Sequence, residues 1–253
     1  MRHVRRHLGG VLSLSATVLA GSFASPAAAE TTYNVASTAT AVPFGFVDAK
    51  TGSVRGIMVD VINAVAKDAG FAVNVSAIPA DELIPSLTSN KIDIISAAMY
   101  ITPARKAMID FSDPVYTYGE GVAVKDPRYY KAIDELKSEV VGALIGAGHA
   151  EALKKTGVRE VAMYDSTADM LRDVNTGRLQ AGFADYPILA YELAQATYPE
   201  LRLLRNYRPQ VVGSVGIGVR KADIELRAKI NSSLARLKAV GTLDRILADW
   251  KVK

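Results

Sequence analysis

The sequence predicts an α/β fold with mostly parallel sheets, arranged in two lobes of similar construction. Short runs typical of β-strands alternate with amphipathic helical runs along almost the whole chain, which is the pattern of parallel sheets with crossover helices. The segments LTSNKIDIISA (87–97) and VNTGRLQAGFA (174–184) also share a helix end, an Asn or Gly stop, a basic residue and a buried strand. The alternative, that any two helix-to-strand turns look alike, stays open at this point.

The predicted strands are short runs rich in β-branched and apolar residues. They are Tyr33–Ser37, Phe71–Ala77, Ile92–Ala97, Gly121–Lys125, Val140–Ile145, Glu160–Tyr164, Leu179–Ala184 and Ser214–Val219. Near the end of the chain, Asp223–Val240 and the segment TLDRILADW after Gly241 each have an apolar face without a partner nearby in sequence. We therefore expect both helices to pack on an earlier part of the chain.

Two internal helices carry clear start and stop signals. The run Ile57–Ala69 is predicted to end at Gly70. The run Ser166–Thr176 opens with a capping box whose second member is Asp169, and it is predicted to end at Gly177.

Residues 1–29 are predicted to be a secretory signal peptide. Three arginines between positions 2 and 6 precede an apolar run from Leu8 to Ala20, and three alanines before Glu30 supply a small-residue cleavage site. A membrane helix is the alternative, but hydroxyl residues interrupt the run and it is short for a span. We expect cleavage between Ala29 and Glu30.

The charge balance argues against nucleic-acid binding. The chain has 30 Lys and Arg against 26 Asp and Glu, and a sequence pI of about 9.1. Three of the arginines lie in the predicted signal, which holds no acid, so the rest of the chain is nearly neutral. No basic surplus remains to neutralise phosphates.

The residue inventory also excludes several chemistries. The chain has no cysteine, which excludes disulfides, thiolate metal sites, cysteine nucleophiles and a lipid-modified cysteine, so we expect a free, soluble exported protein. His149 is the one histidine outside the first 29 residues, so a histidine-rich zinc site cannot be built. A G-x-S-x-G elbow is missing, which disfavours a Ser-His-Asp hydrolase. We expect neither a metal nor a cofactor.

The stretch YITPARKAMIDFSDP (100–114) raises a question about Arg105. Thr102 is a good N-cap and Pro103 suits the first helical position, which places Arg105 in the first turn. A guanidinium is disfavoured there, because a helix N-terminus carries partial positive charge and attracts anions. A solvated side chain is one reading of this arginine, and part of an anion site is the other.

The order of the motifs resembles the periplasmic solute-binding proteins of polar amino acid ABC transporters, family 3. The matching pieces are VPFGF (42–46), GIMVDVINAVAKDAGF (56–71), LIPSLTSNKIDIISAAMYITPARKAMIDFSDPVY (83–116), VVGALIGAG (140–148), NTGRLQAGFAD (175–185), VGIGVRK (215–221) and KAVGTLDRILADW (238–250). They cover nearly all of the chain after residue 29. The most specific are T-P-x-R followed by F-S-D-P, and the terminal G-T-L-x-x-I-x-x-x-W.

The resemblance implies the type II periplasmic-binding-protein fold, with two α/β lobes, two crossing hinge strands and a ligand cleft between the lobes. Lobe 1 would comprise residues 30–116, completed by 216–253, and lobe 2 would comprise 117–215. It also implies a monomeric periplasmic component of an ABC importer that is not an enzyme. By lobe closure it would bind an amino acid, an opine or an ectoine-like solute, and would deliver it to an inner-membrane permease.

The resemblance further implies the residues of the site. Arg105 would clamp the ligand carboxylate, and its planar fork fits that group bidentately. Asp185 would accept the ligand ammonium, with a helix N-cap as the alternative role. The N–H groups of Ala147 and Gly148 would face the cleft at a helix start. Family members often have Thr or Ser at position 147, so the alanine offers the ligand carboxylate one hydroxyl fewer. Tyr100 would cover one face of the ligand or pack in the core.

The remaining expected site residues affect ligand choice. They are Ala98, Leu144, Thr38 and Ala80. Thr38 occupies a position that is acidic or polar in the family, while Ala41 and Ala80 occupy positions that often carry aromatic residues. An aromatic at position 100 is similar to ectoine-binding members, which enclose a cationic ring by cation–π attraction. The aromatic box is incomplete here, so the cleft could instead admit a bulkier amino acid or a conjugate.

The alternative function is a periplasmic enzyme on the same fold, similar to the cyclohexadienyl dehydratases. Arg105 would then hold the substrate. General acid–base catalysis would then depend on Asp185, Glu82 or Tyr100, because no histidine is evident in the expected cleft.

Overall fold

The computed structural model describes residue 1 and residues 30–125, 133–145 and 147–252. The predicted signal peptide, apart from its first residue, therefore lies outside the described residues, as does Gly146 of the segment VVGALIGAG. Within the described ranges, no helix combines the length and the apolarity needed to cross a membrane.

The first lobe is built on a five-stranded sheet. Its elements up to residue 111 are β1 (Thr32–Thr38), β2 (Thr40–Ala41), β3 (Gly45–Val47), β4 (Val54–Arg55), α1 (Ile57–Ala69), β5 (Ala72–Ile78), a 3-10 turn (Ala80–Glu82), α2 (Leu83–Thr88), β6 (Ile94–Ile95), α3 (Pro103–Met108) and β7 (Asp110–Phe111). A last strand, β14 (Gly218–Val219), returns from the C-terminal part and completes the order β5-β1-β6-β14-β7. Strands β5, β1 and β6 are parallel, while β14 pairs antiparallel with β6 and β7. Strands β2, β3 and β4 form a small antiparallel sheet beside it.

The second lobe is built on a sheet of its own. Its elements are β8 (Tyr116–Val124), a 3-10 turn (Ile133–Leu136), β9 (Val140–Leu144), α4 (Gly148–Lys154), β10 (Glu160–Tyr164), α5 (Thr167–Asn175), β11 (Ala181–Asp185), α6 (Tyr186–Ala194), β12 (Arg202–Leu203) and β13 (Val212–Val215). The strand order is β10-β9-β11-β8-β12. Strands β10, β9 and β11 are parallel, and β8 runs antiparallel to β11, β12 and β13.

The paired strands β8 and β13 connect the two lobes. β8 leads from the first sheet into the second, and β13 leads back to β14 of the first sheet. The proposed lobe boundaries at 116/117 and 215/216 fall at the start of β8 and the end of β13. Two sheets with separate buried clusters, joined by two paired strands, form the α/β fold that the sequence predicts.

The last helices, α7 (Ile224–Ala239) and α8 (Thr242–Asp249), pack on the first lobe. Ile230 and Leu234 of α7 share a buried cluster with Ile62 and Val65 of α1. The prediction that these helices need a partner earlier in the chain is therefore confirmed.

Trp250 follows α8 and contacts both lobes. Its Nε1 donates to Asp60 Oδ2 of α1 at 2.8 Å, and its ring lies 5.9 Å from that of Phe46. On the other side, the ring of Tyr191 in α6 lies 5.9 Å away, tilted by 43°. Because α6 belongs to the second lobe, Trp250 lies where the two lobes meet.

Local signals predicted element types better than element ends. The helix Ile57–Ala69 has the predicted bounds and ends at Gly70, whose φ of 74° is left-handed. The predicted single strand Ser214–Val219 is wrong, because the chain leaves β13 at Val215 and joins the other sheet only at Gly218. The alternation of side chains along a strand does not reveal that the two ends of one predicted strand pair with different sheets.

Glu120 attaches the segment after β12 to β8. Its side chain is buried, and its carboxylate accepts hydrogen bonds from the Tyr207 hydroxyl and from the backbone N–H groups of Gln210 and Val211. We expect Glu120→Gln to lower the free energy of unfolding by about 1–3 kcal/mol, since an amide nitrogen cannot accept these bonds. Chemical denaturation measures this change. The matched variant Glu200→Gln, at an exposed carboxylate beside Lys125, should change it little; equal effects would contradict this role of Glu120.

Candidate functional site

Asp185 lies at the carboxyl end of β11, where ligand sites of α/β sheets collect. Its Oδ1 accepts a hydrogen bond from the Tyr100 hydroxyl at 3.2 Å, and its Oδ2 accepts one from the Tyr118 hydroxyl at 3.3 Å. Asp185 occupies the N-cap position of α6, but its side chain makes no capping bond. The carboxylate therefore faces the tyrosines and not the helix, which argues against a purely capping role.

Burial raises the pKa of the Asp185 carboxyl above its usual range. Nearby Glu120 acts in the same direction, whereas His149 and the two tyrosine hydroxyls act against it. The side chain keeps 27% of its surface exposed, so it stays accessible from the cleft. The site thus presents a partly desolvated acceptor, in which a bound cation is favoured more strongly than in water.

His149, on the first turn of α4, lies directly behind Asp185. Its side chain is 4% exposed, its Nδ1 lies 4.0 Å from Asp185 Oδ1, and its Nε2 lies 3.2 Å from the carbonyl oxygen of Phe183. The expectation that no histidine would be near the cleft is therefore wrong. The sequence held a usable signal, because α4 follows β9 and the carboxyl ends of the neighbouring strands β9 and β11 meet at one edge of their sheet.

Tyr100 is both packed and part of the site. Its ring centroid lies 5.3 Å from that of Tyr118, and its backbone makes an isolated bridge to Val215 of β13. A Cβ at Gly213 would lie 2.4 Å from the Tyr100 ring, so only glycine leaves room for the ring there. The two alternatives for Tyr100 are thus not exclusive, since a half-buried ring sends its hydroxyl across to Asp185 of the other lobe.

Arg105 lies in the first turn of α3, as the sequence predicts. Its backbone N–H donates to the Thr102 hydroxyl at 3.3 Å, and Pro103 is the first helical residue. The guanidinium Nη1 donates to the carbonyl oxygen of Tyr100 at 2.8 Å. No carboxylate among the residues that the structure describes lies within ion-pair distance of this half-buried arginine.

Tyr100 therefore joins the two residues of opposite charge in the expected site. Its carbonyl oxygen binds Arg105 of the first lobe, and its hydroxyl binds Asp185 of the second lobe. The structure brings these three predicted residues together.

The start of α4 differs from the expectation. The N–H of Ala147 donates to the carbonyl oxygen of Leu144 at 3.2 Å, so it is not free for a ligand, because a tight turn closes between β9 and α4. Gly148 is the first residue of α4 and precedes His149. Leu144 is half-buried at the end of β9.

The remaining predicted residues lie in the first lobe. The buried hydroxyl of Thr38 donates to the carbonyl oxygen of Gly45 at 3.0 Å, which leaves it without a proton to offer to a ligand. Ala98 is half-buried against the core of that lobe, and Ala80 is exposed at the start of a 3-10 turn. The structure joins none of these three to Arg105 or Asp185 by a hydrogen bond.

Tyr118 is the second contact of Asp185 that sequence reasoning missed. Its buried ring stacks on that of Phe44 at 5.4 Å, and burial raises the pKa of the Tyr118 hydroxyl.

Across the described part of the chain, no group of three or more His, Asp or Glu side chains is placed to hold a metal ion.

Comparison with known proteins identifies a family and several relatives. The sequence model of the bacterial extracellular solute-binding proteins, family 3, matches residues 33–253. The chain is 31% identical over 247 residues to the lysine/arginine/ornithine-binding periplasmic protein of Escherichia coli K12, which covers 93% of this chain and 94% of that protein. It is 30% identical over 249 residues to the histidine-binding periplasmic protein of the same strain, with coverage of 93% and 94%.

Solved structures give the same picture. An ancestral cationic amino acid solute-binding protein is 30% identical with a TM-score of 0.78, covering 87% of this chain and 95% of that one. The second substrate-binding domain of Lactococcus lactis GlnP, in its open conformation, is 27% identical with a TM-score of 0.77, covering 90% and 98%. An ancestral arginine-binding protein bound to arginine is 32% identical with a TM-score of 0.67, covering 87% and 98%.

Proposed function

Because this chain belongs to family 3 of the bacterial extracellular solute-binding proteins, we propose that it is the substrate-binding component of an amino acid ABC importer. The family and the fold class predicted from the sequence are confirmed. Relatives named as arginine-binding, histidine-binding and lysine/arginine/ornithine-binding proteins support an amino acid ligand. The ligand is delivered to a membrane permease.

One observation carries the proposed mode of binding, namely that a cation and an anion from different lobes meet at Tyr100. Arg105 of the first lobe binds the ligand carboxylate, and Asp185 of the second lobe binds its ammonium. A zwitterion that reaches both groups bridges the lobes. It stabilises the closed state by its higher affinity for that state.

The ligand class extends to relatives of amino acids. Ala41 and Ala80 occupy positions that often carry aromatic residues in the family. The side chain of the ligand therefore meets no aromatic ring from these two positions. Amino acids, opines and ectoine-like solutes all carry the carboxylate and cationic nitrogen that the site needs. We infer a monomer that is exported by cleavage before Glu30 and acts in the periplasm, the compartment named for several relatives.

We also infer that the protein binds its ligand without converting it, because the curated relatives are named as binding proteins. The enzymatic alternative gains one candidate base from the position of His149. Incubation of the purified protein with prephenate or arogenate tests it, and turnover would replace the binding role with a catalytic one.

A thermal-shift screen tests the binding role. The panel contains the proteinogenic amino acids, opines and ectoine-like solutes. A true ligand at a hundredfold excess over its Kd should add ~2.7 kcal/mol of stability, which raises Tm by about 5–11 °C for a protein of this size. The shift should saturate with concentration. A panel without any saturable shift would count against an amino acid or a related zwitterion as the ligand.

A further inference from the structure

We propose that His149 is a positioning residue that makes ligand capture depend on pH, because its ring decides whether Asp185 is free to accept an ammonium group. The inference rests on the proposed function, since it concerns the same ammonium site. It assigns a role to the one histidine outside the first 29 residues, which family resemblance does not explain.

The hydrogen bond of Nε2 fixes the tautomer of the ring. A carbonyl oxygen can only accept, so Nε2, at 3.2 Å from Phe183 O, carries a hydrogen. In the neutral ring, Nδ1 then carries no hydrogen and has a free lone pair. This nitrogen lies 4.0 Å from Asp185 Oδ1. Nδ1 and Oδ1 are then two hydrogen-bond acceptors that face each other, and a ligand ammonium placed between or beside them is stabilised by both.

Protonation of the ring reverses this relation. Nδ1 of the imidazolium becomes a donor that forms an ion pair with Asp185, and solvent screens this pair less than a surface pair, because the histidine is buried and the aspartate is partly buried. The Asp185 carboxylate is then paired with the charged ring of His149, and the ammonium of a ligand must compete with that ring. The neutral ring therefore supports capture, and the charged ring opposes it.

The other groups around Asp185 do not provide the same switch. The hydroxyls of Tyr100 and Tyr118 have raised pKa values through burial, so they stay protonated and neutral at physiological pH. Glu120 faces Asp185 from β8, where its carboxylate already accepts three hydrogen bonds. An imidazole is the side chain whose ordinary charge change falls between pH 5 and 8.

Ligand binding should therefore release a proton at acidic pH. Below the pH at which His149 becomes charged, each bound ligand displaces up to one proton, so the affinity falls up to about tenfold for each pH unit. Protonation of Asp185 itself also weakens binding at low pH, but that contribution remains when the histidine is replaced.

Titration calorimetry with L-arginine and L-glutamine as probes tests the inference between pH 5 and 7.5. Buffers of different ionisation enthalpy report the number of protons released. We expect release at pH 5.5 in the unsubstituted protein and a clear reduction in His149→Gln, whose amide can still donate to Phe183 O. The control Lys155→Gln removes an exposed cation at the end of α4 and should behave like the unsubstituted protein. Equal proton release in His149→Gln and the unsubstituted protein would overturn the inference.

A second measurement needs no ligand and no stable histidine variant. The ring signals of His149 are followed by NMR against pH in protein without a polyhistidine tag, with and without the substitution Asp185→Asn. The titration of the ring should differ between the two proteins, and an unchanged titration would overturn the inference. If neither probe binds, the proposed function is weakened while this titration still decides on the coupling of His149 to Asp185.

Discussion

Replacing Arg105 with alanine is expected to weaken the binding of an amino acid by about 2–4 kcal/mol, roughly 30- to 1,000-fold. The reason is that the ligand carboxylate loses its bidentate cationic partner in a partly desolvated cleft. Titration calorimetry with the best hit of the thermal screen measures the change.

The neighbouring residue provides the control for this experiment. Lys106 follows Arg105 on α3 and is exposed, so Lys106→Ala removes the same charge without touching the site. We expect its affinity to match that of the unsubstituted protein. The fold should survive both changes, because within the described residues the Arg105 guanidinium makes one hydrogen bond, to Tyr100. A full thermal shift in Arg105→Ala would show that the carboxylate is held elsewhere.

The second large effect is expected for Asp185→Asn, which should lose ammonium binding and gain thermal stability. Burial raises the pKa of Asp185 in the folded state, so the folded protein binds that proton more tightly than the unfolded chain. The ionised carboxylate therefore costs stability at neutral pH, and this cost disappears as the pH falls below the unfolded value of about 3.9. The Tm advantage of the variant should be largest near pH 7 and should shrink towards pH 3.5.

Asp173→Asn is the matched substitution outside the cleft. Asp173 also accepts a tyrosine hydroxyl bond, from Tyr164 at 2.8 Å, and it pairs with Arg178. We expect this variant to keep its ligand affinity and to show no gain in Tm. If both variants keep full affinity, the assignment of Asp185 to the ligand ammonium is wrong.

The sequence contained the parts of the site that depend on local structure. The N-cap Thr102, the proline after it and the stop at Gly70 act within one or two turns, so their residue types suffice to predict them. The contact of Tyr100 with Asp185 joins residues 85 positions apart, and no local pattern encodes it. His149 lies between these cases, because strand order alone would have placed it beside Asp185.

The differences at Ala147 and Thr38 have another cause. Thr38 was assigned by resemblance and Ala147 from its place at a predicted helix start, and neither assignment includes the hydrogen bonds formed at the position. The backbone turn at residue 144 takes the N–H of Ala147, and the carbonyl of Gly45 takes the hydroxyl proton of Thr38. Backbone carbonyl groups thus compete with a ligand for these donors. This competition can be recognised only from the three-dimensional positions of the donors and acceptors.

The position of Trp250 gives this protein an optical probe that needs no label. It is the single tryptophan of the chain, and its ring lies against Tyr191 of α6, the helix whose first turn follows Asp185. Any rotation of α6 relative to the first lobe changes the surroundings of the indole. Its intrinsic fluorescence therefore reports directly on lobe movement, in real time and in the unmodified protein.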